Sequence, residues 1–183
     1  MALQIGQRLD HSFHEPLGLL SDCHRRIERF LTVLVTLAGQ PSHSLTPAQK
    51  LEATEALAYF ERSAPLHTAD EEQSLFPRLR TSGDPAAAEA LTALARLERD
   101  HEIADAHVRL VGALWRRRLA LEELPPTEMQ ELRDRLGVLQ AIYRDHIAVE
   151  DREVFPAAAR ALSRNELQDV GREMAGRRRR EAD

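Results

Sequence analysis

The stretch HTADEEQSLFP (residues 67–77) has a close counterpart in HIAVEDREVFP (residues 146–156) of the same chain. Both read His, three residues, Glu, a second acidic residue, three residues and then Phe-Pro. On an α-helix, residues four positions apart lie on one face, with Cβ atoms about 5–6 Å apart. Each stretch therefore predicts a His and a Glu that point the same way from one helix.

The composition of the 183-residue chain favours an all-α fold. The hydrophobic fraction is 43% and the aromatic fraction 4%, and Ala, Leu, Glu and Arg dominate while strand-like apolar runs are missing. The length fits one domain with a real core, which argues against global disorder. We predict one domain over residues 1–183, with a loose arm at 1–13, a helical bundle at 14–160 and a short C-terminal helix at 163–179.

Charge and cysteine content limit the classes of function that the chain can have. The net charge of −5 gives no overall basic balance for nucleic acid, and the single Cys23 excludes an internal disulfide. No secretory signal and no apolar stretch of about 20 residues is visible. We expect a cytoplasmic monomer or homodimer without nucleic-acid or membrane partners. The basic cluster at 177–180 is interpreted as a solvated helix end, with a nucleic-acid or partner-binding tail as the alternative.

Capping and breaking signals predict four long helices and a short last one. The predicted helices run from about Pro16 to Ala38, Pro47 to Arg80 with a disturbance at Pro65, Pro85 to Leu124, and Thr127 past Pro156. The predicted N-caps are Thr46 with Gln49, Asp84, Thr127 with Gln130, and Ser163 with Glu166. Short connections between long helices predict an up-down-up-down four-helix bundle.

An apolar seam with alternating steps of three and four residues runs along each long helix. Each seam carries one histidine, and two seams carry a glutamate four residues later. These six candidate metal ligands are His24, His67, Glu71, His101, His146 and Glu150. Two buried carboxylates among imidazoles would repel each other or take up protons, and metal cations remove that cost. The other histidines, His11, His14, His43 and His107, are expected to face solvent.

The number and type of candidate ligands favour two metal ions. Imidazole with carboxylate suits iron, zinc, copper or manganese. Six ligands from four helices exceed the needs of one tetrahedral ion. We expect two iron ions bridged by Glu71, Glu150 and oxo or hydroxo groups, with zinc or another divalent metal as the alternative. A ferritin-like site would show Glu-x-x-His, whereas the order here is His-x-x-x-Glu.

At these residues the chain resembles the hemerythrin-like, or HHE cation-binding, domains over roughly residues 14–160. The resemblance rests on four stretches. Two are the repeated stretches quoted above, and the others are CHRRIERFL around His24 and RDHEIADAH around His101. It implies a four-helix bundle whose six candidate ligands hold a non-haem di-iron centre that binds or senses oxygen, a related diatomic molecule or iron. The alternatives are a di-iron enzyme acting on peroxide or nitric oxide, and a helical interaction protein with a vestigial or zinc-filled site. We expect binding or sensing rather than catalysis.

Four further residues border the predicted centre. Asp105 stands four residues after His101, where oxygen-carrying hemerythrins have a second histidine. It could be a ligand, a hydrogen-bond partner of a ligand or an ordinary polar residue. Glu72 and Asp151 could hydrogen-bond ligand imidazoles, with surface acids as the alternative. Tyr143 is interpreted as a core residue, with a hydrogen bond to a bound oxygen species as the alternative. The missing histidine favours sensing or redox chemistry over simple oxygen carriage.

Overall fold

The computed structural model describes residues 11–40, 45–121 and 124–182, and within these ranges every regular element is helical. The helices of the first half are α1 (Pro16–Gly39), α2 (Pro47–Arg62), α3 (Ala64–Asp70) and α4 (Phe76–Thr81). Those of the second half are a 3₁₀ turn (Pro85–Ala87), α5 (Ala88–Leu121), α6 (Pro126–Val149), α7 (Phe155–Ala161) and α8 (Arg164–Ala182). The all-α prediction is confirmed.

Two π-helices, which the sequence patterns did not predict, join these segments: π1 (Glu71–Leu75) and π2 (Glu150–Val154). Each closes with an i→i+5 hydrogen bond, in which the N–H of Phe76 donates to Glu71 and that of Phe155 to Glu150. The break predicted at Pro65 is confirmed, because α2 ends at Arg62 and α3 begins two residues later.

Three of the four predicted helix caps are present. The Thr46 and Ser163 side chains each form a capping box, and Asp84 accepts a hydrogen bond of 2.7 Å from the Ala86 N–H. Just before Asp84, Gly83 takes the left-handed conformation, with φ of 64°, that ends the preceding helix.

The fourth predicted cap, Thr127 with Gln130, is wrong. Helix α6 begins at Pro126, with Pro125 in the cap position and no side-chain cap. The fixed φ of Pro126 suits the first helical position, so Thr127 already lies inside the helix. Gln130 donates instead to Asp134, at 2.8 Å.

The long helices pack as a bundle. Helix α1 contacts α2 and α6, and α5 contacts the same two helices. Two apolar clusters fill the interior, one around Leu34 and Trp115 and the other around Phe76 and Leu97. The six candidate ligands lie between these two clusters in the bundle interior. Among the described residues, none of the helices is long and apolar enough to cross a membrane.

Both ends of the chain differ in part from the predictions. Helix α8 has 19 residues and is longer than expected, and its Val170 and Met174 are buried in the second apolar cluster. The interpretation of its basic cluster as solvated is wrong for Arg177 and Arg178, which pair with a buried carboxylate. The predicted loose arm lies outside the described residues at 1–10. Phe13, at its end, packs against the second cluster.

Candidate metal centre

The six candidate ligands meet in the bundle interior. Glu71 and Glu150 are 0% exposed, and the imidazoles of His24, His67 and His146 are almost completely buried. The ligand atoms form two overlapping groups whose members all lie within 4.8 Å of one another: His24, His67, Glu71 and Glu150, and Glu71, His101, His146 and Glu150. The residues that the repeated stretches single out are thus brought together.

The two glutamates belong to both groups. The Glu71 Oε1 atom is 3.3 Å from His67 Nε2, while its Oε2 atom is 3.3 Å from His101 Nε2. The Glu150 Oε2 atom is 3.1 Å from His24 Nε2 and 3.0 Å from His146 Nε2. Each group therefore takes three residues from one half of the chain and one glutamate from the other.

The polar atoms at the centre fit a cation. Within the described residues, both oxygens of Glu71 and of Glu150 and the Nε2 atoms of His24, His101 and His146 are buried without a hydrogen bond of good geometry. Atoms that approach one another but do not hydrogen-bond are arranged like ligands directed at a shared third point. Imidazole nitrogen and carboxylate oxygen suit iron, zinc, copper or manganese. Cys23 is buried nearby but belongs to neither group.

The π-helices place the glutamates. Glu71 and Glu150 are the first residues of π1 and π2. The wider turn lets a polar ligand and the apolar residues after it both face the interior, and Phe76 and Phe155 are buried directly beyond. The Phe155 ring stacks on His24, with centroids 5.3 Å apart. π-turns inside α-helices are often found at functional sites.

Acidic residues around the centre contact the outer ring nitrogens. The Asp151 carboxylate lies 3.0 Å from His24 Nδ1, and the Glu72 carboxylate 2.8 Å from His101 Nδ1. Such contacts orient the ring and would keep Nε2 directed at a bound metal. Asp100, which the sequence reasoning missed, lies 3.7 Å from His146 Nδ1. The signal that the sequence offered is that Asp100 directly precedes His101, which lies on a seam.

The imidazoles differ in protonation. Burial lowers the pKa of His24, but the contacts with Asp151 and the glutamates outweigh it and raise this pKa well above the ordinary value. Burial likewise opposes charge on His101, yet its contact with Glu71 raises the pKa to about 9. For His67 burial prevails, and the pKa falls to about 4. Without metal, the charges of the carboxylates are thus balanced by protons on two imidazoles.

The glutamates stay ionised despite their burial. Burial raises the pKa of Glu71, but the imidazoles of His67 and His101 bring it well below the ordinary range. Burial and the neighbouring Glu71 raise the pKa of Glu150, and His146 contributes to a net lowering. Two buried anions side by side give the centre a strong preference for cations.

Asp105 and Tyr143 border a cavity beside the centre and belong to neither ligand group. The Asp105 side chain is 57% exposed and lies 2.8 Å from the Arg109 guanidinium. The cavity has a volume of about 290 Å³, and His101, Thr68 and Phe60 also contribute to its wall. Burial raises the pKa of Tyr143, so its hydroxyl stays protonated and can donate.

The remaining histidines lie away from the two groups. His14 is exposed and His107 is half-buried. His11 is held at the surface by Asp22, whose carboxylate accepts a 2.9 Å hydrogen bond from the His11 backbone N–H. The prediction for His43 lies outside the described residues.

Comparison with known proteins points to one family. The sequence model described as hemerythrin, "Hemerythrin HHE cation binding domain", matches residues 15–158. The chain is also 31% identical over 170 residues to an uncharacterized protein of Haemophilus influenzae, an overlap that covers 91% of this chain and 92% of that protein. The family match contains all six candidate ligands.

Proposed function

The chain belongs to the hemerythrin HHE cation-binding domain family, and on that premise we propose that it holds a non-haem di-iron centre that binds or senses oxygen, a related diatomic molecule or iron. The observation that carries the proposal is the pair of overlapping ligand groups that share Glu71 and Glu150. If two ions bind, each of these carboxylates would be a ligand to both. Six protein ligands leave coordination positions for solvent or for a small ligand.

The proposed scaffold is an up-down-up-down four-helix bundle. Contacts of α1 with α2, α2 with α5, α5 with α6 and α6 with α1 support this arrangement, because they close a ring of four neighbours. In such a ring, α1, α5 and α6 each contribute one histidine to the interior, and α3, which follows α2 after a short break, contributes His67. The ligands then converge from all four sides on a centre between the apolar clusters.

Bound iron would supply reversible redox chemistry and open positions for a ligand, and the protein residues would direct access to it. The cavity lined by His101 would hold a small molecule next to one of the candidate ligands. The protonated Tyr143 hydroxyl and the Thr68 hydroxyl in its wall can donate hydrogen bonds. Phe155, stacked on His24, and buried Phe76 help to keep water away from the opposite end.

Metal analysis tests the proposal. We expect about two iron ions per chain after anaerobic loading with Fe²⁺, and an oxo-bridged iron absorption band and coupled Mössbauer spectrum after exposure to air. Glu71→Gln and Glu150→Gln should each lose at least one ion, because each glutamate serves both groups. Glu153→Gln, an exposed change in π2, is the matched control. One ion or none in the wild-type chain, with unchanged binding in both variants, would refute the proposal.

An enzyme acting on peroxide or nitric oxide is the second candidate, and the cavity favours it. Its volume of about 290 Å³ holds more than one diatomic molecule, so a substrate and solvent can be present together. Steady-state turnover of hydrogen peroxide or nitric oxide by the iron-loaded chain separates the two functions. Stable adduct formation without turnover supports binding or sensing. A chain that retains zinc alone would point to the interaction protein with a zinc-filled site.

A further inference from the structure

A buried carboxylate directly precedes Glu71. Asp70, the last residue of α3, is 0% exposed. Its Oδ1 atom lies 2.8 Å from Arg177 Nη1 and its Oδ2 atom 2.8 Å from Arg178 Nη1. Both arginines belong to α8, which is far from Asp70 in sequence. Two guanidinium groups therefore form ion pairs with one buried carboxylate and offset part of the cost of burying its charge.

The same helix also holds the segment after Glu71. Arg177 Nη2 donates a 2.7 Å hydrogen bond to the hydroxyl of Ser74, which is buried inside π1. The Ser74 hydroxyl in turn donates to Glu173 of α8, and Glu173 lies 2.7 Å from Arg78 of α4. Helix α8 thus fastens the chain one residue before and three residues after Glu71. We call these contacts the α8 clamp.

The turn that carries Glu150 is built differently. In the repeated stretches, Val149 corresponds to Asp70 and Glu153 to Ser74. Val149 packs against the second apolar cluster, and Glu153 is exposed. A π-turn that carries a glutamate therefore forms in this bundle without a charged clamp. The clamp is a specific addition to the Glu71 side of the centre.

We propose that Arg177 and Arg178 are positioning residues for Glu71, so that docking of α8 and metal binding stabilise each other. The inference rests on the proposed function. Glu71 belongs to both ligand groups, and a displacement of its π-turn changes the geometry at both ions. π-turns are rare inside α-helices and are often found at functional sites. If α8 holds that turn in the metal-binding geometry, a bound metal must hold α8 equally, because the coupling is reciprocal.

The full-length chain with Co²⁺ as the probe tests this coupling. In the double variant Arg177→Gln/Arg178→Gln, we expect Co²⁺ affinity, measured by competition with a chromophoric chelator, to fall at least tenfold. The visible d–d spectrum should change because ligand geometry changes. In the wild-type chain, Co²⁺ should slow amide hydrogen exchange along α8. Arg172→Gln, which removes only an exposed pair with Asp169 on the same helix, should behave as wild type.

Several outcomes decide the inference. Wild-type affinity and spectrum in the double variant, with only a lower melting temperature, would show that the clamp is merely structural and overturn it. If the double variant does not fold, adding Asp70→Asn removes the stranded buried charge. That triple variant should still bind Co²⁺ weakly, and wild-type affinity in it would overturn the inference. A wild-type chain that takes up no Co²⁺ would instead refute the proposed function, and with it this coupling.

Discussion

Metal binding by this chain should release protons. In the metal-free protein, the pKa of His24 is raised well above its ordinary value and that of His101 to about 9, so both rings are protonated at neutral pH. An imidazole must be neutral to bind metal. We therefore expect the apparent metal affinity to rise with pH. Each ion should displace one proton, from His24 in the first ligand group or from His101 in the second.

The size of the effect follows from the pKa of His101. A group with a pKa of about 9 is neutral in about 1% of molecules at pH 7 and in about half at pH 9. Metal binding that uses His101 should therefore gain about 50-fold in apparent affinity over that range, or about 2.3 kcal/mol. His24 adds a second proton, which gives a release of about two protons per chain at pH 7.

Isothermal titration calorimetry with Co²⁺, in buffers of different ionisation enthalpy at pH 7, counts the released protons. Chelator competition from pH 7 to 9 measures the change in affinity. Glu72→Gln removes a contact that raises the pKa of His101, so this variant should release fewer protons and show a weaker pH dependence. His107→Gln on the same helix is the control. A proton count near zero with a flat pH profile would refute the reasoning.

Three further predictions concern folding. The free energy of unfolding of the metal-free chain should fall by up to about 3 kcal/mol as the pH rises from 6.5 through about 9, because the folded-state pKa of His101 lies above its unfolded value. Equal urea midpoints at pH 6.5 and at pH 9 would contradict this. Trp115→Ala, at a 0% exposed position, should cost about 3–5 kcal/mol in urea unfolding, against less than about 0.5 kcal/mol for Leu51→Ala at a 55% exposed one. Asp84→Ala should cost about 1 kcal/mol and Asp84→Asn much less, since only Asn keeps a cap for the Ala86 N–H; equal thermal stability of both variants would count against the cap.

Local patterns predicted most of the helical segments and selected the residues that meet at the centre. Each of these signals lies within a single predicted helix. Examples are the seam positions of His24 and His101 and the four-residue spacing from His67 to Glu71. Pro126 shows the limit of such reading, because a proline one residue upstream moved the helix start and left Thr127 without its predicted role.

Contacts between distant parts of the chain could not be predicted in this way. Asp70 and Arg177 pair although they are 107 residues apart. In the sequence, Asp70 is simply a polar neighbour of Glu71, and Arg177 is a cation near the end of a helix. The π-turns at Glu71–Leu75 and Glu150–Val154 gave no signal in the local sequence patterns. Whether Asp105 binds metal also stayed open in the sequence, and the structure places it in the cavity wall.

The sharing of Glu71 and Glu150 between the two ligand groups has a consequence for how the centre fills. An ion bound in either group would have one glutamate from each half of the chain among its ligands and would restrain both, and these are ligands that a second ion also needs. The ordering cost is largely met before the second ion arrives, so its affinity should be the higher one. A preparation supplied with one ion per chain should then consist mainly of empty and fully loaded molecules, with few that carry a single ion. Occupancy of this centre would behave as all-or-none.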